Sequence, residues 1–111
     1  MTHCLIYATA ANRQQALEIG RVLVTERLVA CANVVDGATS LYWWDGAVQE
    51  EAEALLLAKT TLTNVSAATA KILELHSYST PCVTVLPIAG GNPAFLDWIS
   101  RETVTGVERA E

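Results

Sequence analysis

Apolar and polar positions change rhythm several times along the chain, and each change predicts an element. Residues 4–10 (CLIYATA) form an unbroken apolar run of strand length, which predicts a strand buried on both faces. Asn12 follows as a helix N-cap, with Gln15 three residues on to complete a capping box. From residue 13 to about 28 the rhythm is helical. Ala16, Ile19, Gly20 and Leu23 recur at three- and four-residue intervals, flanked by Leu17, Val24 and Leu28.

The pattern then becomes extended on both sides of Asp45-Gly46. CANVVDGATSLYWW precedes this dipeptide and AVQEEAEALLLAKT follows it, both rich in apolar, β-branched or aromatic residues. Asp-Gly between such runs predicts a hairpin with a type I′ turn, because both central residues need φ > 0. That turn sets Trp44 opposite Ala47, Trp43 opposite Val48 and Tyr42 opposite Gln49. Each arm is about fourteen residues, roughly 48 Å of strand, too long for a domain this small to cover. The excess must twist, bulge or pair with another chain, and Asp36-Gly37 predicts a bulge or bend in the first arm. In the second arm Gln49, Glu51 and Glu53 share a face with Leu55 and Leu57. One face thus changes character, which predicts a root on the domain's own core and a tip on a neighbour. Trp43 and Trp44 point to opposite sides of that tip, exposing at least one large aromatic in a monomer.

Beyond the hairpin, Thr63 is placed to cap a helix from about residue 64 to 75, with Val65, Ala68, Ile72 and Leu75 as its buried stripe. Residues 76–81 (HSYSTP) form a polar loop that ends in a helix-stopping proline. Residues 82–88 (CVTVLPI) predict a strand that Pro87 confines to an edge or an end. Asn92 and Pro93 open a short helix containing Phe95, Leu96 and Ile99, which runs to about Glu102 before a polar tail. The order βαββαβ plus a terminal helix predicts one α+β domain over residues 1–111. Its fold class is ferredoxin-like, an antiparallel sheet with helices on one face and a long central hairpin. Such a fold hosts many unrelated activities.

Composition narrows the partners. The 111 residues carry a formal charge of −5, which argues against nucleic acid as a partner. At 51% hydrophobic, the chain has apolar surface to bury between subunits. Cys4, Cys31 and Cys82 are an odd set without metal spacing, which suits free thiols in a reducing compartment. The first fifteen residues lack a basic region and an export-length apolar run, and no segment approaches a membrane span; a cytoplasmic protein is expected.

Candidate chemistry is sparse. His76, in the polar loop, is read as hydrogen-bonded or solvated, with cation binding as the alternative. Cys82 is read as a buried strand thiol rather than a ligand. Glu50, Glu51 and Glu53 carry oxygens suited to a hard cation, but alternation sets Glu50 on the other face, and a solvated or inter-subunit face is favoured. Gly90-Gly91 before a helix is read as a turn rather than an anion site. Lys59 either snorkels to solvent or aims a fixed charge into a cleft, against an anion or one of the glutamates. No nucleophile or metalloprotease motif occurs, so no enzyme activity is expected.

Several stretches together resemble a known family. They are Ala30-Cys31-Ala32-Asn33, the run from Gly37 through Leu41-Tyr42-Trp43-Trp44 to Gly46, Glu51, Glu53 and Lys59-Thr60-Thr61. The resemblance continues through His76, Tyr78 and Thr80-Pro81, Val85-Leu86-Pro87-Ile88, Gly91 and Leu96-Asp97-Trp98-Ile99. Collinear over nearly the whole chain, it resembles the CutA divalent-cation tolerance family. The resemblance implies a PII-like subunit, a tight homotrimer joined through the long strands, and a link to tolerance of copper and other divalent metals. It also implies clefts between subunits, to which Lys59, Glu51, Trp44 and Tyr78 correspond here. Members proposed to bind copper carry a cysteine, a histidine and a glutamate at positions that match Ala8, Leu75 and Cys82. None of those ligand types is retained, which leaves His76 and Cys82 as the substitute metal ligands. The family's His-Pro-Tyr loop reads His76-Ser77-Tyr78. The expected function is a cytoplasmic homotrimer of the metal-response type, with a divalent metal such as copper as the candidate cofactor. Two alternatives are a PII-like sensor of an anionic metabolite with Lys59 as counter-charge, and an unrecognised enzyme whose site forms between chains.

Overall fold

The computed structural model describes residues 2–103. Four strands and three α-helices follow one another: β1 (His3–Ala10), α1 (Arg13–Thr25), β2 (Cys31–Trp44), β3 (Ala47–Thr61), α2 (Val65–Leu75), β4 (Val83–Pro87) and α3 (Pro93–Glu102). The strands form one sheet in the order β2-β3-β1-β4, and every neighbouring pair is antiparallel. This is the predicted ferredoxin-like arrangement. The polar tail expected after Glu102 lies almost wholly outside the described residues.

Alternation assigns the two sheet faces. Ile6, Ala8, Leu56 and Ala58 point to the side covered by helices, where they join Ile19 and Leu23 of α1 and Ala68 and Ile72 of α2 in one buried cluster. The α1 residues buried are the predicted stripe of Ala16, Ile19, Gly20 and Leu23. Leu5, Tyr7, Leu55 and Leu57 point to the other side and are only half-buried, so Leu55 and Leu57 do not lie on the domain's own core as the change of character along that face predicted, and Leu86 and Val35 there are exposed.

The hairpin turns as predicted: Asp45 and Gly46 have φ of 53° and 76°, the left-handed pair of a type I′ turn. Trp44–Ala47, Trp43–Val48 and Tyr42–Gln49 are paired. Between Val35 and Ala38 the register slips by one residue, the predicted bulge, with Gly37 at φ 83°. The slip inverts the parity of β2. Cys31, Asn33 and Val35 lie on the helix-free face at the root, whereas Ser40, Tyr42 and Trp44 lie on it at the tip.

Three boundaries differ from the periodicity. Helix α1 stops at Thr25 rather than near Leu28, because Arg27 turns left-handed at φ 58°. Arg27 N–H then donates to Val24 O and Leu28 N–H to Leu23 O, a Schellman closure that buries Leu28 beside Leu23 without extending the helix. A 3₁₀ turn at Leu62–Asn64 delays α2 to Val65, so Thr63 is not its cap, and Asn64 instead donates from Nδ2 to Thr61 Oγ1 at 2.9 Å. The α2 stripe is also shorter than predicted: Ala68 and Ile72 are buried, while Leu75 is exposed at the helix end. Strand β4 begins at Val83, which leaves Cys82 outside it and exposed, not buried in a strand. As Pro87 required, β4 is an edge strand. No helix among the described residues is long and apolar enough to cross a membrane.

Candidate functional site

The α2–β4 loop is tied down before it reaches the hairpin. Asn12 Oδ1 accepts Gln15 N–H at 2.8 Å, the expected half of a capping box. The Gln15 side chain accepts from Ala11 N–H at 2.9 Å, and its Nε2 donates to Ser77 Oγ at 2.7 Å, which links α1 to the loop. His76 is buried next to this link. Its Nε2 lies 2.7 Å from Thr9 O, so Nε2 carries the proton and donates. Its Nδ1 accepts the Tyr78 N–H at 3.1 Å. The hydrogen-bonded reading of His76 therefore describes the structure, and ligation of a metal through either ring nitrogen requires release of one of these bonds.

Held in this way, the Tyr78 ring packs on His76 with centroids 4.6 Å apart, and its phenol donates to Glu53 Oε2 at 2.9 Å. Glu53 is only 8% exposed, so the phenol meets a carboxylate with little water around it. Loss of water around the Tyr78 hydroxyl, its bond to Glu53, and the charges of Glu53, Glu51 and Tyr42 push its pKa up to about 12. Tyr42 shifts in the same direction, through desolvation first, then hydrogen bonding to Glu51 and the charges of Glu51 and Glu53. Desolvation first, and then the same carboxylates, favour the protonated form of both phenols.

Loop and hairpin together flank an open cavity of about 370 Å³ lined by Tyr42, Trp44, Asp45, Gln49, Glu51, Tyr78, Ser79 and Thr80. Of the four cleft candidates, Glu51, Trp44 and Tyr78 meet here. Lys59 does not: it lies nearer the root of β3, opposite Cys31, where Nζ donates to Asn33 Oδ1 at 2.9 Å and lies 3.9 Å from Cys31 Sγ. Glu50 is on the opposite face, as alternation predicted. Cys82 meets the same β1 residue as His76, its carbonyl accepting Thr9 N–H at 3.4 Å. Ala8 is buried under the helices, and Leu75 is exposed. Among the described residues no three His, Cys, Asp or Glu side chains converge as a metal group.

Tyr42, Asp45 and Gln49 were not among the sequence candidates. The signal for Tyr42 and Gln49 was available, since the turn register pairs them and alternation puts both on the face of Glu51. No such signal marks Ser79 and Thr80, which join through the fold of the loop.

Comparison with known proteins agrees with the fold and the resemblance. The family model described as CutA1 divalent ion tolerance protein matches residues 4–102. The divalent-cation tolerance protein CutA of Thermus thermophilus is 41% identical over 99 residues, covering 89% of this chain and 96% of that protein. The chloroplastic protein CutA 1 of Oryza sativa is 38% identical over 99 residues, and the match spans 56% of its length. The chain thus spans about half of that plant relative and nearly all of the bacterial one. A solved Thermus thermophilus Cut A1 structure superposes with a TM-score of 0.90 at 40% identity, covering 92% of this chain and 99% of the other. CutA1 from Oryza sativa gives 0.90 at 36% identity, covering 94% and 95%. On both sequence and fold, the chain belongs to the CutA1 divalent-ion tolerance family.

Proposed function

We propose that this chain acts as a cytoplasmic homotrimer of the divalent-cation tolerance type, responding to a cation held in the cavity between the hairpin and the α2–β4 loop. The observation that carries this reading is the sign of the cavity. Its wall bears Asp45 and Glu51, the buried carboxylate of Glu53 lies behind Tyr78, and none of its lining residues is Lys or Arg. A concave wall of one sign raises the local concentration of the opposite ion. Trimer assembly is supported by the half-buried apolar residues of the helix-free sheet face and by the length of the hairpin. Three free thiols support a reducing compartment. Binding rather than catalysis is favoured because His76 has both ring nitrogens engaged by the backbone and the two phenols resist deprotonation. The alternative of an anion sensor has less support, since Lys59 donates to Asn33 and does not line this cavity.

Calorimetry on the assembled protein with copper, zinc and common nucleotides tests the reading. Saturable binding of a divalent metal at or below about 100 μM is expected. No metal binding in that range sinks direct metal sensing. Nucleotide binding that disappears in Lys59→Ala would transfer support to the anion sensor.

A further inference from the structure

Charge alone does not distinguish the cations this cavity could take; its size and its aromatic walls do. A calcium or magnesium ion takes about six or more oxygens at about 2.0–2.6 Å, and zinc or copper takes about four ligands rich in His or Cys. Only two carboxylates line a space of about 370 Å³, and no group of three His, Cys, Asp or Glu forms among the described residues. The volume instead lies in the range of organic-ligand pockets, roughly 300–1,000 Å³. Three of the eight lining residues are aromatic: Tyr42, Trp44 and Tyr78. Two of them are alternate residues of β2 on the face of Glu51, and the third arrives from the loop on its His76 anchor. Indole and phenol faces are electron-rich and attract a cation whose charge is spread over carbon and nitrogen, Trp most strongly. Asp45 and Glu51 supply acceptors for its N–H groups and full counter-charge.

We infer that the cavity binds an organic ammonium ion, with the alkyl part against Tyr42, Trp44 and Tyr78 and the charged nitrogen at Glu51. The inference rests on the reading of this cavity as a cation site and deepens it by naming the chemical class. Trp44 provides the strongest π face for the methylene beside the charged nitrogen, and Glu51 gives the ammonium a partner that an alcohol of the same shape cannot use equally. Glu53 is already held by Tyr78 and fixes the position of that ring. Protonated phenols suit this role, since they offer neutral π faces and hydroxyl groups rather than anionic metal ligands.

The test uses three four-carbon probes of matched shape and different charge: butylammonium, butan-1-ol and butyrate. Each is titrated into isotope-labelled full-length protein while the Trp44 indole N–H resonance is followed, identified by its loss in Trp44→Phe. Butylammonium is expected to shift it saturably and to bind at least about tenfold more tightly than butan-1-ol, with butyrate without effect. Glu51→Gln and Trp44→Leu should each weaken butylammonium about tenfold, measured by calorimetry. Both residues are exposed, so the fold is expected to survive, and far-UV circular dichroism checks this. Equal binding of the alcohol, tighter binding of butyrate, or no binding of butylammonium below about 10 mM overturns the inference. Butyltrimethylammonium distinguishes a primary from a quaternary ligand, the first needing N–H donors and the second only the π faces. Sedimentation and metal calorimetry on the same samples separate the two readings. A trimer that binds copper or zinc but no butylammonium refutes this inference and leaves the proposed function. Butylammonium binding without metal binding supports this inference and removes a metal ion as the cation of the proposed function.

Discussion

Tyr78 ties its loop to β3 through three contacts: its N–H to His76, its ring against the same imidazole, and its hydroxyl to Glu53 on β3. Its pKa stands at about 12 in the fold against an ordinary value of 10.0. Between these values the folded protein retains a proton that the unfolded chain releases. The stability this represents is fully present below about pH 10 and is lost as pH rises toward 12. Tyr78→Phe removes the phenol's bond to the buried Glu53 carboxylate and should be less stable than the parent at neutral pH, and because only the parent carries the raised pKa, the gap should close across that alkaline window in chemical denaturation series. Parallel curves for the two proteins would show that the fold does not raise the Tyr78 pKa. Phenolate absorbance should likewise show Tyr78 ionising late. The Tyr78 and Glu53 positions were both marked by family resemblance, but their contact was not legible, because it joins residues 25 apart through a loop with no periodicity.

The hairpin element owes its chemistry to one extra residue. If β2 ran without the bulge, the root register of Cys31 with Lys59 would place Leu41 and Trp43 on the Glu51 face. With the bulge at Asp36-Gly37, Tyr42 and Trp44 occupy that face, while Trp43 is left 74% exposed on the other. The bulge depends on Gly37 at φ 83°, where a branched side chain is strained. Gly37→Val should cost about 1–3 kcal/mol and shift the Tyr42 and Trp44 ring resonances together. The control Thr39→Val, in a paired strand position, should be within about 0.5 kcal/mol of the parent. A neutral Gly37→Val with unmoved rings would mean that the turn alone sets the tip register. Turn and bulge were both readable as Asp-Gly dipeptides, since each needs a backbone conformation that few residues adopt.

At the scale of the whole molecule, the hairpin makes the chain elongated. The principal extents are 44 × 30 × 23 Å, and the radius of gyration of 14.6 Å exceeds the roughly 13 Å of a compact chain of this size. Helices cover one face of the sheet, while Leu5, Tyr7, Leu55 and Leu57 remain half-buried on the other. A second copy is the occupant we propose for that face. Leu57→Glu, central on β3, should convert the trimer into folded monomers by sedimentation, since a carboxylate there loses its water on assembly. An unchanged trimer would place the subunit contact elsewhere. A monomeric parent at micromolar concentration would overturn the assembly itself.

The residues by themselves determined what depends on neighbours along the chain: the order of elements, the α1 stripe, the left-handed turn and its register, the edge placement of β4, and the family. Each follows from short-range sterics, periodicity or a distinctive run of residues. Tertiary structure alone decided why Cys82 stays outside its strand and which candidates share a cavity. Lys59 shares a face with Glu51 on one strand, yet it is committed to Asn33. Tyr78 comes from another element, yet it reaches that cavity because Gln15–Ser77 and Thr9–His76 hold its loop over the hairpin. These bonds span more than sixty positions, and no local pattern encodes them.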